Sequence, residues 1–180
     1  MSTGRVDGSR VTRRIPGNPQ APKTIDYSNV DFDIFSDLLS FYVRIVNILV
    51  SRDLDEQTEE LAMAGGTGKI STLLLVGANP GLRPSVLAHF ILKDRSAMGK
   101  LLEQMERAGL IEQKVSSSER RARELYLTAR GQALARQVRE VARRQSDDFF
   151  SVLTDEEQDT LLRILRKVYE SYIGRVPSPS

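Results

Sequence analysis

Residues 84–111, PSVLAHFILKDRSAMGKLLEQMERAGLI, and the following residues 112–131, EQKVSSSERRARELYLTARG, decide how this chain folds. Asp94 stands at an N-cap position, where its carboxylate accepts the free backbone N–H groups of a helix that begins at Arg95. Gly109 closes that helix, because glycine enters the left-handed C′ conformation without steric cost. At helical spacing Met98, Leu101, Leu102 and Met105 share one face, which must be buried. Ser96, Gly99, Lys100, Glu103 and Arg107 fall on the other, whose leading end is small and basic and suits a large anionic partner. Past Gly109 the period changes to two. Residues 110–115 and 123–127 read as strands, with Leu125 and Leu127 on one side and Tyr126 on the other. The intervening residues 116–122, SSSERRA, are too many for a two-residue turn, so a loop projects carrying Arg120 and Arg121, with Arg123 at its base. Thr128 then caps the next helix.

A helix–turn–helix followed by a basic hairpin is a winged-helix layout, in which the second helix enters a DNA major groove and the wing reaches the adjacent minor groove. The expected class is therefore mainly α with a small β-wing, the winged helix-turn-helix being flanked by a helical dimerisation domain. Composition agrees. The chain has 180 residues, 40% hydrophobic and 28% charged, which is ordinary for a globular protein. No apolar run approaches the roughly 20 residues of a membrane span, and the basic N-terminal stretch carries no apolar core, so the reading is a cytoplasmic protein without membrane contact. With no cysteine and one histidine, His89, thiol chemistry and multi-histidine metal sites are excluded, and no cofactor or metal is expected. There is no Gly-rich phosphate loop and no convincing carboxylate pair, so an enzyme is not expected either.

Net charge is only +2, but it is unevenly spread. Residues 1–25 carry 5 basic and 1 acidic side chains, residues 26–60 carry 2 and 9, residues 61–150 carry 15 and 9, and residues 151–180 carry 4 and 5. The basic excess lies on the reader and the N-terminal tail, where phosphates would be met. The acidic excess lies on the first helix.

Four segments follow. Residues 1–25, rich in Gly, Pro, Ser and Arg without period, read as a disordered basic tail, solubilising rather than groove-specific. Residues 26–66 hold a dimerisation helix and connector: Asn29 or Asp31 caps a helix with a wide apolar stripe from Ile34 and Phe35 through Tyr42 to Leu49. Residues 67–131 form the DNA-binding domain, with a helix opening at Thr67 or Gly68 and ending at Asn79, a short pairing of Leu82 and Arg83 with the wing, and Pro84 at a first helical position. Residues 132–180 hold the C-terminal dimerisation helices, the last opened by a Thr154–Glu157 capping box. Three long apolar helices flanking a small reader imply a symmetric homodimer.

The run DRSAMGKLLEQMERAGLI, the wing SSERRARELYLT and the following LTARG resemble the MarR family of dimeric winged-helix transcription regulators. The resemblance covers about residues 31–173 in element order. It implies that the helix beginning at Arg95 is the recognition helix and that the first and last two helices make the dimer. The family's Asp-x-Arg wing signature falls on Glu119, Arg120 and Arg121, which gives Arg121 the role of the minor-groove arginine and puts glutamate where aspartate is usual. Two further departures are Arg83, where a Thr or Ser often caps the first helix of the motif, and Leu92, where the turn often has glycine. Candidate DNA contacts are Ser85, at a helix start suited to phosphate, Arg95, Ser96, Gly99, Lys100, Arg120, Arg121 and Arg123. The partner expected is double-stranded DNA carrying an inverted repeat, read by a regulator that is most simply a repressor. The resemblance also implies a small phenolic or other aromatic effector, which no residue pattern identifies; a thiol-based oxidant response is closed by the lack of cysteine. The alternative reading is a protein-interaction module on the same scaffold, binding through the wing and the acidic helix.

Overall fold

In the structure, a computed structural model that describes residues 30–61, 66–116 and 122–174, most helices begin where the cap chemistry puts them. The elements are α1 (Leu39–Thr58), α2 (Thr67–Ala78), α3 (Pro84–Phe90), α4 (Arg95–Arg107), β1 (Ile111–Val115), β2 (Arg123–Leu127), α5 (Ala129–Phe149) and α6 (Asp155–Ile173). Short 3-10 turns at Asp33–Ser36 and Glu59–Leu61 flank α1. Among the described residues the architecture is mainly helical with one two-stranded antiparallel sheet, the class read from the sequence. Among the described residues no helix is long and apolar enough to cross a membrane. The chain divides into two units, Met1–Asp53 and Leu54–Ser180, with the division inside α1.

In the second unit the core gathers Ile70, Leu73 and Val76 of α2, Leu87 of α3, the four apolar residues of α4, Leu110 and Ile111, Leu125 of β2, and Ala135 and Val138 of α5. Leu73, Leu87 and Leu125 are fully buried, each stabilising the fold by about 2 kcal/mol on transfer grounds. The LTARG segment locks the end of α4 to the start of α5. Thr128 Oγ1 donates to Gly109 O at 2.6 Å and accepts from Gly131 N at 3.0 Å, so one hydroxyl satisfies the end of one helix and the start of the next. Gly131 packs against the Leu110 carbonyl so closely that a Cβ there would lie 1.9 Å from its oxygen. At the other end of the unit, Tyr169 Oη donates to Phe90 O at 2.8 Å, and His89 Nε2 lies 2.9 Å from Ile173 O. These two contacts hold α6 against the end of α3.

The start of the first helix differs from the sequence reading. Ile34 and Phe35 do not belong to α1; they lie in the 3-10 turn, and α1 begins at Leu39. Asp31 Oδ1 takes the Asp33 N–H at 2.8 Å and Asp33 adopts φ 47°, which interrupts any continuous helix. Over four residues a period of 3.0 is indistinguishable from 3.6, so the apolar pattern concealed the break. In this unit Phe35 stacks on Phe41 with ring centroids 4.9 Å apart, while Ile34, Phe35, Leu39, Tyr42, Val43, Ile45, Val46 and Ile48 remain exposed. In the other unit α6 exposes Leu162, Ile164, Leu165, Val168 and Tyr172. The first strand also starts one residue later than read, since Leu110 is buried but outside the ladder.

Candidate nucleic-acid interface

Three elements supply the surface. α4 presents it as an amphipathic helix: Met98, Leu101, Leu102 and Met105 are buried, and Arg95, Ser96, Gly99 and Lys100 are exposed. Its entry is fixed by Asp94 Oδ1, which accepts the Ala97 N–H at 2.8 Å, and its exit by Gly109 at φ 67°. Glu103 and Arg107 pair one turn apart on the exposed side, away from the helix start. α3 enters through Arg83 and Pro84; Arg83 occupies the N-cap with no side-chain cap bond, and Pro84 loses nothing at the first helical position. Between α3 and α4 the chain turns through Leu92 at φ 53°, a left-handed position usually given to glycine, with the side chain 71% exposed.

The wing pairs Ile111 with Leu127, Gln113 with Leu125 and Val115 with Arg123, so one face packs on the core. The outward face carries Glu112, Lys114, Glu124 and Tyr126. Lys114 lies 2.7 Å from Glu112 and 4.9 Å from the centre of the Tyr126 ring, and Tyr126 Oη donates to Glu124 Oε2 at 2.8 Å. Hydrogen bonds from Ser116 and Tyr126 hold the Glu124 carboxyl below its ordinary range, whereas the bond to Glu124 pushes the Tyr126 phenol up. The Glu112 carboxylate likewise raises Lys114.

Between α3, α4 and the wing lies a groove of about 780 Å³. Among the described residues its charged lining is of one sign: Arg83, Lys93, Arg95 and Arg123, with His89 beside them and no carboxylate. Ala88, Met98 and Leu102 contribute the apolar part, and Ser85, Gly99 and Gln113 the small or neutral part. A concave surface with such a cationic lining next to an exposed helix face concentrates polyanions.

Of the residues singled out in the sequence, Ser85, Arg95, Gly99 and Arg123 line this groove. Ser96 and Lys100 are exposed on α4 but outside its lining. Arg120 and Arg121, with Glu119, lie outside the described residues. Sequence reasoning did not select Arg83, Lys93, His89 or Gln113. Arg83 was legible only as an unusual cap and Lys93 only as a neighbour of one; their convergence depends on how α3, the turn and the wing pack. His89 is exposed at the groove, and its Nε2 meets the Ile173 carbonyl.

No family model matches the chain. A protein described as a transcriptional regulator for the hcr operon of Thauera aromatica is 39% identical over 103 residues, 57% of this chain and 61% of that protein. The match thus spans less than two thirds of that relative. The HTH-type transcriptional repressor Rv2887 of Mycobacterium tuberculosis is 32% identical over 96 residues, 53% of this chain and 69% of that protein. Among solved structures, the transcriptional repressor CouR bound to a 23-mer DNA duplex superposes with TM-score 0.72 at 26% identity, covering 78% of this chain and 99% of that one. The M. tuberculosis MarR family protein Rv2887 in complex with salicylic acid gives 0.59 at 26% identity, covering 73% and 96%.

Proposed function

Because the chain belongs to the MarR family of winged-helix transcriptional regulators, we propose that it is a homodimeric DNA-binding repressor that reads a pseudo-palindromic operator in the cytoplasm and answers to a small aromatic effector. The observation that carries the reading is the groove whose charged lining among the described residues is cationic, set beside the small and basic end of a capped helix. In this reading α4 enters the major groove, with Arg95, Ser96 and Lys100 at base edges or phosphates and Gly99 allowing close approach. Ser85 at the start of α3 and Arg123 at the base of the wing meet phosphates, and Arg120 and Arg121 carry the wing into the minor groove. CouR, a relative by structure, is a repressor bound to a DNA duplex.

The dimer is supported by the apolar rows left exposed on the 3-10 turn and α1 in one unit and on α6 in the other. A second copy would cover them, duplicating α4 about a twofold axis. The effector is supported by Rv2887, whose structure holds salicylic acid, and by two buried polar atoms of this chain, Asp55 Oδ1 on α1 and Thr72 Oγ1 on α2, that have no hydrogen-bond partner among the described residues. Buried polar groups are seldom left so; a ligand hydroxyl could donate to Asp55, and a ligand oxygen could accept from Thr72. Effector binding would then weaken DNA binding by its differential affinity for the two arrangements of the readers.

The test is a titration of the full chain against an operator duplex at several salt concentrations. Several phosphate contacts per subunit predict a loss of affinity of about a thousand-fold between 50 and 200 mM salt. Replacing Arg95 and Lys100 together by Ala should flatten that slope and lower affinity. Binding that is insensitive to salt, or intact in the double variant, rejects the reading; a stable dimer with no preference over random duplex would favour protein recognition on this scaffold instead.

A further inference from the structure

The strand of the wing that leaves its tip, β2, is joined to the segment that leads into α3. Gly81 N donates to Leu125 O at 2.9 Å, Leu125 N donates to Leu82 O at 3.0 Å, and Leu82 and Leu125 form an antiparallel bridge. With Gly81 at φ 86°, Gly81 and Leu82 together oppose Leu125 as a bulge, and the register beyond it puts Arg83 opposite Glu124, on the side away from buried Leu125. The pairing is sterically prepared. A Cβ at position 81 would come within 3.3 Å of Tyr126 Oη and 3.9 Å of Glu124 Oε2, so glycine leaves room for the hydroxyl–carboxylate contact.

Glu124 therefore stands at a junction of three elements. It accepts from Tyr126 on its own strand, is hydrogen-bonded by Ser116, the residue where the chain leaves β1 for the wing tip, and faces the charge of Arg83, the N-cap of α3. Ser116 is buried, while Arg83 is exposed and lines the cationic groove. Among the described residues no carboxylate lines the groove itself, and the Arg83–Glu124 juxtaposition brings an acidic group to its rim.

We propose that Glu124 is a positioning residue for DNA recognition: it aims the Arg83 guanidinium at a phosphate beside the start of α3 and ties that contact to the base of the wing. The proposal rests on the duplex-binding reading above and adds Arg83 and Glu124 to it. An arginine partly neutralised by a fixed carboxylate is a poor general attractor of phosphate and a good one only in the geometry the carboxylate permits. Glu124 thus contributes to discrimination rather than to total charge.

The experiment is a double-mutant cycle with full-length Arg83→Ala, Glu124→Gln and the double variant, titrated against a high-affinity duplex and a random duplex, with thermal unfolding followed in parallel. Gln keeps a carbonyl oxygen for Tyr126 and Ser116 while removing the charge. Glu124→Gln should lower the ratio of specific to random affinity by about five-fold or more, the scale of coupling between contacting groups, and should leave or raise random binding. Arg83→Ala should reduce the salt slope by about 0.9 for each phosphate lost, and Glu124→Gln should then add nothing. If Glu124→Gln lowers the ratio equally when Arg83→Ala is already present, or leaves it unchanged in the otherwise wild-type chain, the proposal is overturned while the duplex-binding reading stays in place. A wild-type chain that does not prefer any duplex overturns both. Should Glu124→Gln fail to fold, Tyr126→Phe, which removes the bond that orients the carboxylate, is put through the same cycle and judged by the same coupling.

Discussion

Two helical glycines carry opposite meanings. At Gly131 the missing side chain is demanded by the protein itself, since a Cβ would sit 1.9 Å from the Leu110 carbonyl oxygen. At Gly99 nothing lies within 4 Å of the same ideal atom, and a glycine inside an exposed helix costs about 1 kcal/mol relative to alanine. Nothing among the described residues accounts for that cost; in the proposed reading, close approach of a duplex would. Gly131→Ala should therefore destabilise the fold by about 3 kcal/mol or more, as overpacking against a backbone does, whereas Gly99→Ala should stabilise it by roughly 0.5–1 kcal/mol and weaken binding to the operator. Urea unfolding and a duplex titration on the two variants separate these effects. If Gly99→Ala gains stability and binds as well as wild type, α4 does not approach its partner closely at that point. Leu92 shows the reverse economy: a branched side chain sits at a left-handed turn and is left in solvent, a local strain that the packing of α3 and α4 over-determines.

At the scale of elements, cap chemistry made most boundaries legible, because a cap is a local arrangement of a few residues. Asp94, Thr128 and Thr154 each accept the backbone N–H three residues on, as their sequence positions imply. The Thr154–Glu157 box has a pH signature. The Thr154 backbone N–H, then its hydroxyl, hold the Glu157 carboxyl below its ordinary range, so the contribution is fully present above that range and is lost as pH falls through the depressed value. Acid should loosen the start of α6 as pH falls through that depressed value, and Glu157→Gln should remove that part of the acid dependence while leaving neutral-pH helicity nearly unchanged; amide exchange at the first turn of α6 is the measurement. Identical acid profiles for the two proteins would show that the box contributes nothing. What the sequence hid was non-local or too short to have a period. The groove joins the cap of α3, the turn after it, one side of α4 and both wing strands, and Arg83, Lys93 and Gln113 share no spacing. The break before α1 depends on one aspartate side chain capturing a backbone N–H, a choice that the apolar pattern of Ile34, Phe35 and Leu38 does not record.

For the whole molecule, the exposed apolar rows and the uneven charge belong together. Leu39 is 78% exposed in one unit and Tyr172 86% exposed in the other, and in each the exposed apolar row is longer than scattered surface residues would give. In the proposed dimer those rows are covered and two copies of α4 face successive major grooves on one side of the duplex. The 39% and 32% identical relatives are both regulators of transcription, and the repressor CouR, solved on DNA, shares the fold over 78% of this chain. The measurement that goes straight to this arrangement is selection of bound duplexes from a random pool with the purified full-length chain. An inverted repeat with half-site centres about one helical turn, roughly 34 Å, apart is the expected outcome. A pool that remains random, or one enriched in a single half-site held by one copy, contradicts twofold reading of DNA by α4.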